Sequence, residues 1–218
     1  MSLKIYGIAA SRASRPLWVA HELALAYEHV PVNYQNGGTH TPEFLALNPN
    51  GHIPVVEDDG VVVWESMACA LYLAEHYQGP DGLNLAAQNK GESAEILRWT
   101  FWVVNECEKD ALTILMHTLL MPSDKRKPEL AAEAVRRMAG PLRVVEQHLA
   151  TGGAGAAGRT YLAGERFTVA DIAVASVLTW LRPAPELLAA CPATDQWLTR
   201  CLARPAQQQV KALARRAA

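Results

Sequence analysis

The stretch NPNGHIPVVEDDGVVVWES, Asn48 to Ser66, decides how the rest of the chain is read. PVVED and VVVWE are two β-rich runs flanking Asp59-Gly60, a dipeptide that supplies the positive φ angles of a two-residue hairpin turn. The two strands therefore pair antiparallel. Pro54 cannot donate to a ladder, so it belongs at the first residue of its strand or in the turn before it. The Ile53 backbone is then left at the sheet margin, able to pair with an extended peptide. Residue type alone makes trans the default for Ile53-Pro54, since only about 5% of such bonds are cis in folded proteins. Ser66 reads as the N-cap of SMACALYLAEHY, Ser66 to Tyr77. A helix start there offers free N–H groups and the positive end of the dipole, so Ser66 is either a simple cap or one that also receives a ligand carboxylate.

Working back from this hairpin, LKIYGI (Leu3 to Ile8) is a short strand. ASRASRPLW (Ala10 to Trp18) is a loop with two serines, and PLWVAHELAL (Pro16 to Leu25) has helical apolar spacing. Pro16 fits the first helical position, which puts Arg15 at the cap, Ser14 just outside the helix and Ser11 at the end of the strand. YEHVPVNY (Tyr27 to Tyr34) is a second strand, and TPEFLALN opens a helix with Thr41 as N-cap and Pro42 at the first position. The order is βαβαββα. A crossover helix makes the first two strands parallel, so the sheet is mixed and four-stranded.

Working forward, strand signals stop after the turn-rich QGPDGLN. We expect an α/β domain over residues 1–79, a linker over 80–90 and an all-helical domain over 91–218. The helical part should contain one long segment to Met121, another from Pro128 to Leu149, a helix opened by Thr168 and two shorter ones near the end. With 218 residues, half of them apolar and 19% charged, the chain has ample material for two small cores. A net charge of −2 with interspersed signs leaves no clustered cations for nucleic acid. No apolar run reaches the ~20 residues that span a bilayer, and a strand pattern follows Met1 at once, so a cytoplasmic protein is expected. The basic end KALARRAA reads as a solvated helix terminus.

Two features read as structure. GAGAAG, Gly153 to Gly158, matches the dinucleotide-binding G-x-G-x-x-G, but helical spacing precedes it and no helix opens on its last glycine, so a flexible connection is expected. In FTVADIAVASVLTW, Thr168 and Asp171 have the spacing of a capping box, with Phe167 as its apolar staple. Cys69, Cys107, Cys191 and Cys201 lack C-x-x-C spacing, lie in apolar-periodic segments and read as buried thiols; no metal site is expected.

Strand 1, the serine loop, NPNGHIP, the DDG hairpin, WES and the helical remainder with its TVAD box together resemble a cytosolic glutathione transferase of the serine type, theta-like and bacterial. The resemblance covers essentially the whole chain. It implies a thioredoxin-like N-terminal domain followed by an all-α domain, usually paired as a homodimer. It implies a cis Ile53-Pro54 bond, with the Ile53 backbone on the cysteinyl part of glutathione. Glu65 would hold the γ-glutamyl ammonium and Ser66 its carboxylate, while His52 and His40 would meet the glycine carboxylate. Ser11 precedes Arg15 by four residues, as the serine does in theta-like members, and is the expected thiolate donor, with Ser14 as the alternative.

Neither serine reads as a nucleophile. No G-x-S-x-G elbow is present and no base is placed beside either one. The reactive group would be the thiol of glutathione, a cosubstrate and not a bound cofactor. A hydroxyl donating to its sulfur favours the thiolate. The electrophile would sit against the long first helix of the second domain, where Trp102, Asn105 and Glu106 are candidate lining residues. The expected activity is transfer of glutathione to a small electrophile. A glutathione-dependent isomerase, dehalogenase or peroxidase would use the same thiolate, and a non-catalytic relative would keep only the fold.

Overall fold

The computed structural model describes residues 3–151 and 158–216, in two compact units. The first comprises the residues up to Ala86 together with those from Ala203 on; the second runs from Ala87 to Leu202.

In the first unit, β1 (Leu3–Tyr6) is central in a sheet of order β2-β1-β3-β4. It pairs parallel with β2 (Glu28–Val30) and antiparallel with β3 (Val55–Asp58), placing Ile5 opposite both His29 and Val56. The parallel pair follows from the crossover through α1 (Ser14–Glu22). Between β3 and β4 (Val61–Trp64) the turn holds Asp59 at φ 44° and Gly60 at φ 91°, as the DG dipeptide predicts. Leu17, Trp18 and Val19 of α1 and Cys69, Ala70 and Leu73 of α3 (Ser66–His76) are buried where the two helices pack together. The short α2 (Pro42–Leu47) is capped by Thr41, whose hydroxyl accepts from Phe44 N at 3.3 Å.

The second unit contains helices only, among the described residues. α4 (Lys90–Trp102) is capped by Asn89, and the helical path continues through α5 (Lys109–Leu115) to Leu120. It widens into π-helical turns at Val103–Glu108 and Met116–Leu120, which apolar spacing does not reveal. α5 packs along α6 (Pro128–Thr151), and all ten residues of α7 (Val169–Leu178) are buried. The capping box forms: Asp171 Oδ2 accepts from Thr168 N at 2.9 Å. Asp171 Oδ1 adds Leu162 N at 3.0 Å and the Trp197 indole at 2.9 Å, so this carboxylate ties three segments together. Burial pushes its pKa up to about 6 against the pull of these donors. α8 (Pro185–Ala189) and α9 (Pro192–Ala203) follow.

The end of the chain departs from the expectation of a single helical domain over 91–218. Among the described residues three α-helices follow α7, and the last, α10 (Pro205–Arg216), packs on α1 in the first unit. Its attachment has a clear cause. The Glu22 carboxylate, only 6% exposed, takes both Nε and NH2 of Arg204 at 2.6 and 2.7 Å, while His21 Nδ1 meets Gln209 at 2.7 Å. A two-pronged guanidinium contact of this kind compensates a carboxylate withdrawn from water.

Of GAGAAG, residues 153–157 lie outside the described residues; what precedes them is α6, with no strand. The four cysteines are buried and free. Among the described residues, no helix is long and apolar enough to cross a membrane, and no three side chains are grouped to hold a metal ion.

Candidate active site

Eight of the candidate residues, Ser11, Ser14, His40, His52, Ile53, Pro54, Glu65 and Ser66, lie in the first unit. Two loops meet there because Gly7 allows it. Gly7 has φ 125°, and a Cβ on it would stand 2.9 Å from the Cβ atoms of both Ala13 and Ile53. Only glycine accepts both the dihedral and the approach. His29 Nε2 holds the Gly7 carbonyl at 2.8 Å, so it donates there, since a carbonyl only accepts.

Helix α1 begins earlier than the proline implies. Ser14 is its first residue, Arg15 its second and Pro16 its third, with Ala13 at the cap. Proline is tolerated there because the first-turn N–H groups have no partner within the helix in any case. The turn in front is shaped by Ser11, whose carbonyl accepts from Ser14 N at 3.0 Å. Its hydroxyl donates to the Ile8 carbonyl at 2.7 Å and accepts from Ala13 N at 3.1 Å. Ser14 is also half-buried. Ser11 is thus fixed in place with its proton already engaged.

The second loop closes on Pro54 through a cis Ile53-Pro54 bond, as the family resemblance implies and residue type alone does not. Ile53 is half-buried and stands two residues ahead of Val55, the first paired residue of β3. Buried Asn48 shapes the approach, donating Nδ2 to the His52 carbonyl at 2.7 Å and accepting from Asn50 N at 3.0 Å. His40 and His52 are both exposed. A Cβ on Gly51 would lie 3.2 Å from the Thr39 carbonyl and 3.4 Å from His40 Nε2, so the GGTH loop rests against the residue before His52.

At the start of α3 the assignment of the cap changes. Glu65, not Ser66, is the N-cap, at φ 73° and ψ 119°. A non-glycine residue there is strained, a condition that surrounding structure must enforce. It leaves the Glu65 side chain exposed and makes Ser66 the first helical residue. Ser66 is 6% exposed, and its Oγ accepts from Arg15 NH1 at 2.7 Å. Arg15 was missed in the sequence. The available signal was a cation among residues that are buried in succession, Pro16, Leu17, Trp18 and Val19. Cys69, one turn on, is no rival sulfur: it donates to the Val63 carbonyl at 3.2 Å, and burial pushes its thiol up to about 12.

The three electrophile candidates lie in the second unit. Trp102 is half-buried and stands edge-on to Trp99, with ring centroids 5.1 Å apart. Asn105 and Glu106 are exposed on the first π-helical stretch, which explains how polar residues sit in so apolar a helix.

Comparison with known proteins matches residues 1–75 to the glutathione S-transferase N-terminal domain and residues 109–205 to the C-terminal domain. Glutathione S-transferase 3 of Zea mays is 34% identical, over 96% of this chain and 93% of its own. Elongation factor 1-gamma of Sus scrofa is 34% identical over 80% of this chain, which spans only 38% of that longer protein. Among solved structures, the glutathione-bound theta class enzyme of Xanthomonas axonopodis pv. citri is 29% identical, with a TM-score of 0.81 over 95% of this chain and 96% of that one. Profiles on both halves, a full-length relative and a fold that brings the serine loop against Ile53 agree: the chain belongs to the glutathione S-transferase family.

Proposed function

We propose that this protein is a serine-type, theta-like glutathione transferase that binds glutathione, favours its thiolate and adds it to small electrophiles. The observation that carries this reading is the closure of the Ser11 turn against Ile53 over Gly7, in the same unit as exposed Glu65 and the Ser66 start of α3. Ile53 meets the cysteinyl backbone, Glu65 the ammonium, Ser66 the γ-glutamyl carboxylate, and His40 with His52 the glycine end. Ser11 supplies the hydrogen bond to sulfur. Its proton turns from the Ile8 carbonyl to the thiolate while the Ala13 N–H keeps the oxygen in place. Ser14 is the alternative donor. Glutathione serves as cosubstrate, and no resident cofactor enters the scheme.

The electrophile is assigned to Trp102, Asn105 and Glu106, a wall with an aromatic face and two polar groups. The active species is a homodimer in the cytoplasm. Two apolar surfaces support the pairing: Val61, Val62 and Trp64 at the sheet edge, and Leu97, Phe101 and Val104 on the first long helix of the second unit, with Phe101 63% exposed. Retention on immobilised glutathione, followed by turnover against a panel of electrophiles, tests the function. Failure of both would refute it.

The elongation-factor relatives support a second reading, a binding module that keeps the fold without the chemistry. A chain that binds glutathione, leaves its thiol pKa unshifted and turns over no electrophile, peroxide or isomerisable substrate would establish that reading instead.

A further inference from the structure

We propose that Arg15 is a positioning residue for the anionic end of the cosubstrate: it fixes the Ser66 hydroxyl as a donor to the γ-glutamyl carboxylate. This rests on the glutathione reading above and adds a residue to it. Arg15 is 1% exposed, and its NH1 lies 2.7 Å from Ser66 Oγ. A guanidinium has five N–H donors and no acceptor, so the serine oxygen must accept. A hydroxyl carries one proton. With the guanidinium occupying a lone pair, that proton points away from Arg15 and is available to an acceptor outside.

Ser66 is the first residue of an eleven-residue helix, so its own N–H and those of Met67 and Ala68 have no partner within the helix. The Cys69 N–H already returns to the Glu65 carbonyl at 2.8 Å. A carboxylate at this point receives the hydroxyl and the helix end together. The Arg15 charge is held out of water, where salt screens it little, and it polarises the hydroxyl in the direction that strengthens donation to an anion. Lysine is a poor substitute because a single ammonium cannot reproduce the fixed fork of the guanidinium.

The competing view is that Arg15 merely ties α1 to α3. The two are separated by comparing glutathione with γ-aminobutyryl-cysteinylglycine, the same tripeptide without the α-carboxylate. Calorimetric titration of both ligands, with KM and kcat for glutathione, is carried out on wild type, Arg15→Gln, Arg15→Lys, Ser66→Ala and the Arg15→Gln/Ser66→Ala pair. Loss of a charge-assisted bond predicts that Arg15→Gln weakens glutathione by about tenfold or more. The analogue should change by no more than about twofold, with KM rising and kcat nearly constant. In the double variant the two losses should not add.

Equal changes on both ligands, or fully additive losses, would overturn the proposal. If Arg15→Gln does not fold, Arg15→Lys decides. It should lose about threefold on glutathione and nothing on the analogue, and equal changes on the two, none included, overturn the proposal. Wild type that binds neither ligand refutes the glutathione reading itself, whereas wild type that binds glutathione with no effect of Arg15 refutes only this inference.

Discussion

Replacing Ser11 by alanine should act on two measurable quantities at once, because the hydroxyl is committed in the free protein. It donates to the Ile8 carbonyl at 2.7 Å and accepts from Ala13 N at 3.1 Å. Losing both bonds at a half-buried turn should cost about 1–2 kcal/mol of stability. On the chemistry, turning the proton to sulfur exchanges a neutral bond of about 1 kcal/mol for a charge-assisted one of about 1.5–3 kcal/mol. The net preference for thiolate is then about 0.5–2 kcal/mol. At about 1.36 kcal/mol per unit, the bound thiol should lie roughly 0.4–1.5 units below where it would stand without the hydroxyl. The assay is a pH titration of the ultraviolet thiolate absorption of bound glutathione in wild type, Ser11→Ala and Ser14→Ala, with a urea unfolding curve for each. Ser11→Ala should raise the thiol pKa and lower the unfolding midpoint, while Ser14→Ala should do neither to a comparable extent. A Ser11→Ala protein that is less stable yet keeps its thiol pKa, beside a Ser14→Ala protein whose thiol pKa rises, would make Ser11 a loop-shaping residue and refute the reasoning.

Other positions give sharper structural tests. Gly7→Ala meets two Cβ atoms at 2.9 Å and a φ of 125°, so about 2–4 kcal/mol of stability should be lost and KM for glutathione should rise as the two loops separate; denaturation and steady-state kinetics together check this. Asp171→Ala leaves Thr168 N, Leu162 N and the Trp197 indole buried without their acceptor, an expected loss of about 3–6 kcal/mol, measured by calorimetry. Because burial raises the Asp171 pKa to about 6, the native state binds this proton more tightly than the unfolded chain does. Its contribution is therefore complete below about pH 4 and is lost as pH rises through about 6, so the stability gap between wild type and Asp171→Asn should be wider at pH 4.5 than at pH 7.5. Cys69 and Cys107, both pushed up to about 12 by burial, should resist alkylation in the native protein at pH 8; rapid labelling seen by mass spectrometry would contradict their packing.

The legible part of the fold consists of elements whose signals are local. Asp59-Gly60 specifies its turn through backbone sterics, Thr41-Pro42 specifies a helix start, and Thr168 with Asp171 specifies a capping box; all three stand where the residues put them. Local signals misplaced the start of α1, since a proline is acceptable anywhere in a first turn and Pro16 stands third, not first. They also misplaced the cap of α3. Serine is favoured at an N-cap, but here its hydroxyl is taken by Arg15 from another helix, and strained Glu65 takes the cap position. The π-helical turns at Val103–Glu108 and Met116–Leu120 leave no mark in the sequence, because one added residue barely disturbs an apolar period. For the candidate site, the residues named in the sequence are those carrying motif chemistry, whereas Gly7 stands out by close approach and Arg15 by burial, which only the fold shows.

By itself the sequence determined the βαβαββα order, the antiparallel hairpin and the change to helices after QGPDGLN, because periodicity, turn dihedrals and capping act within a few residues. Only the tertiary structure decided that the final helix belongs with α1, that Ser11 has its proton engaged with Ile8, and that Arg15 stands behind Ser66. The first and the last depend on groups far apart in the chain, 182 residues between Glu22 and Arg204 and 51 between Arg15 and Ser66, and no local propensity reports such a pairing. The Ser11–Ile8 bond spans only three residues, but a loop hydroxyl has no propensity that fixes its acceptor. The hydroxyls could be listed from the sequence; which way each proton points was settled by what folded up against it.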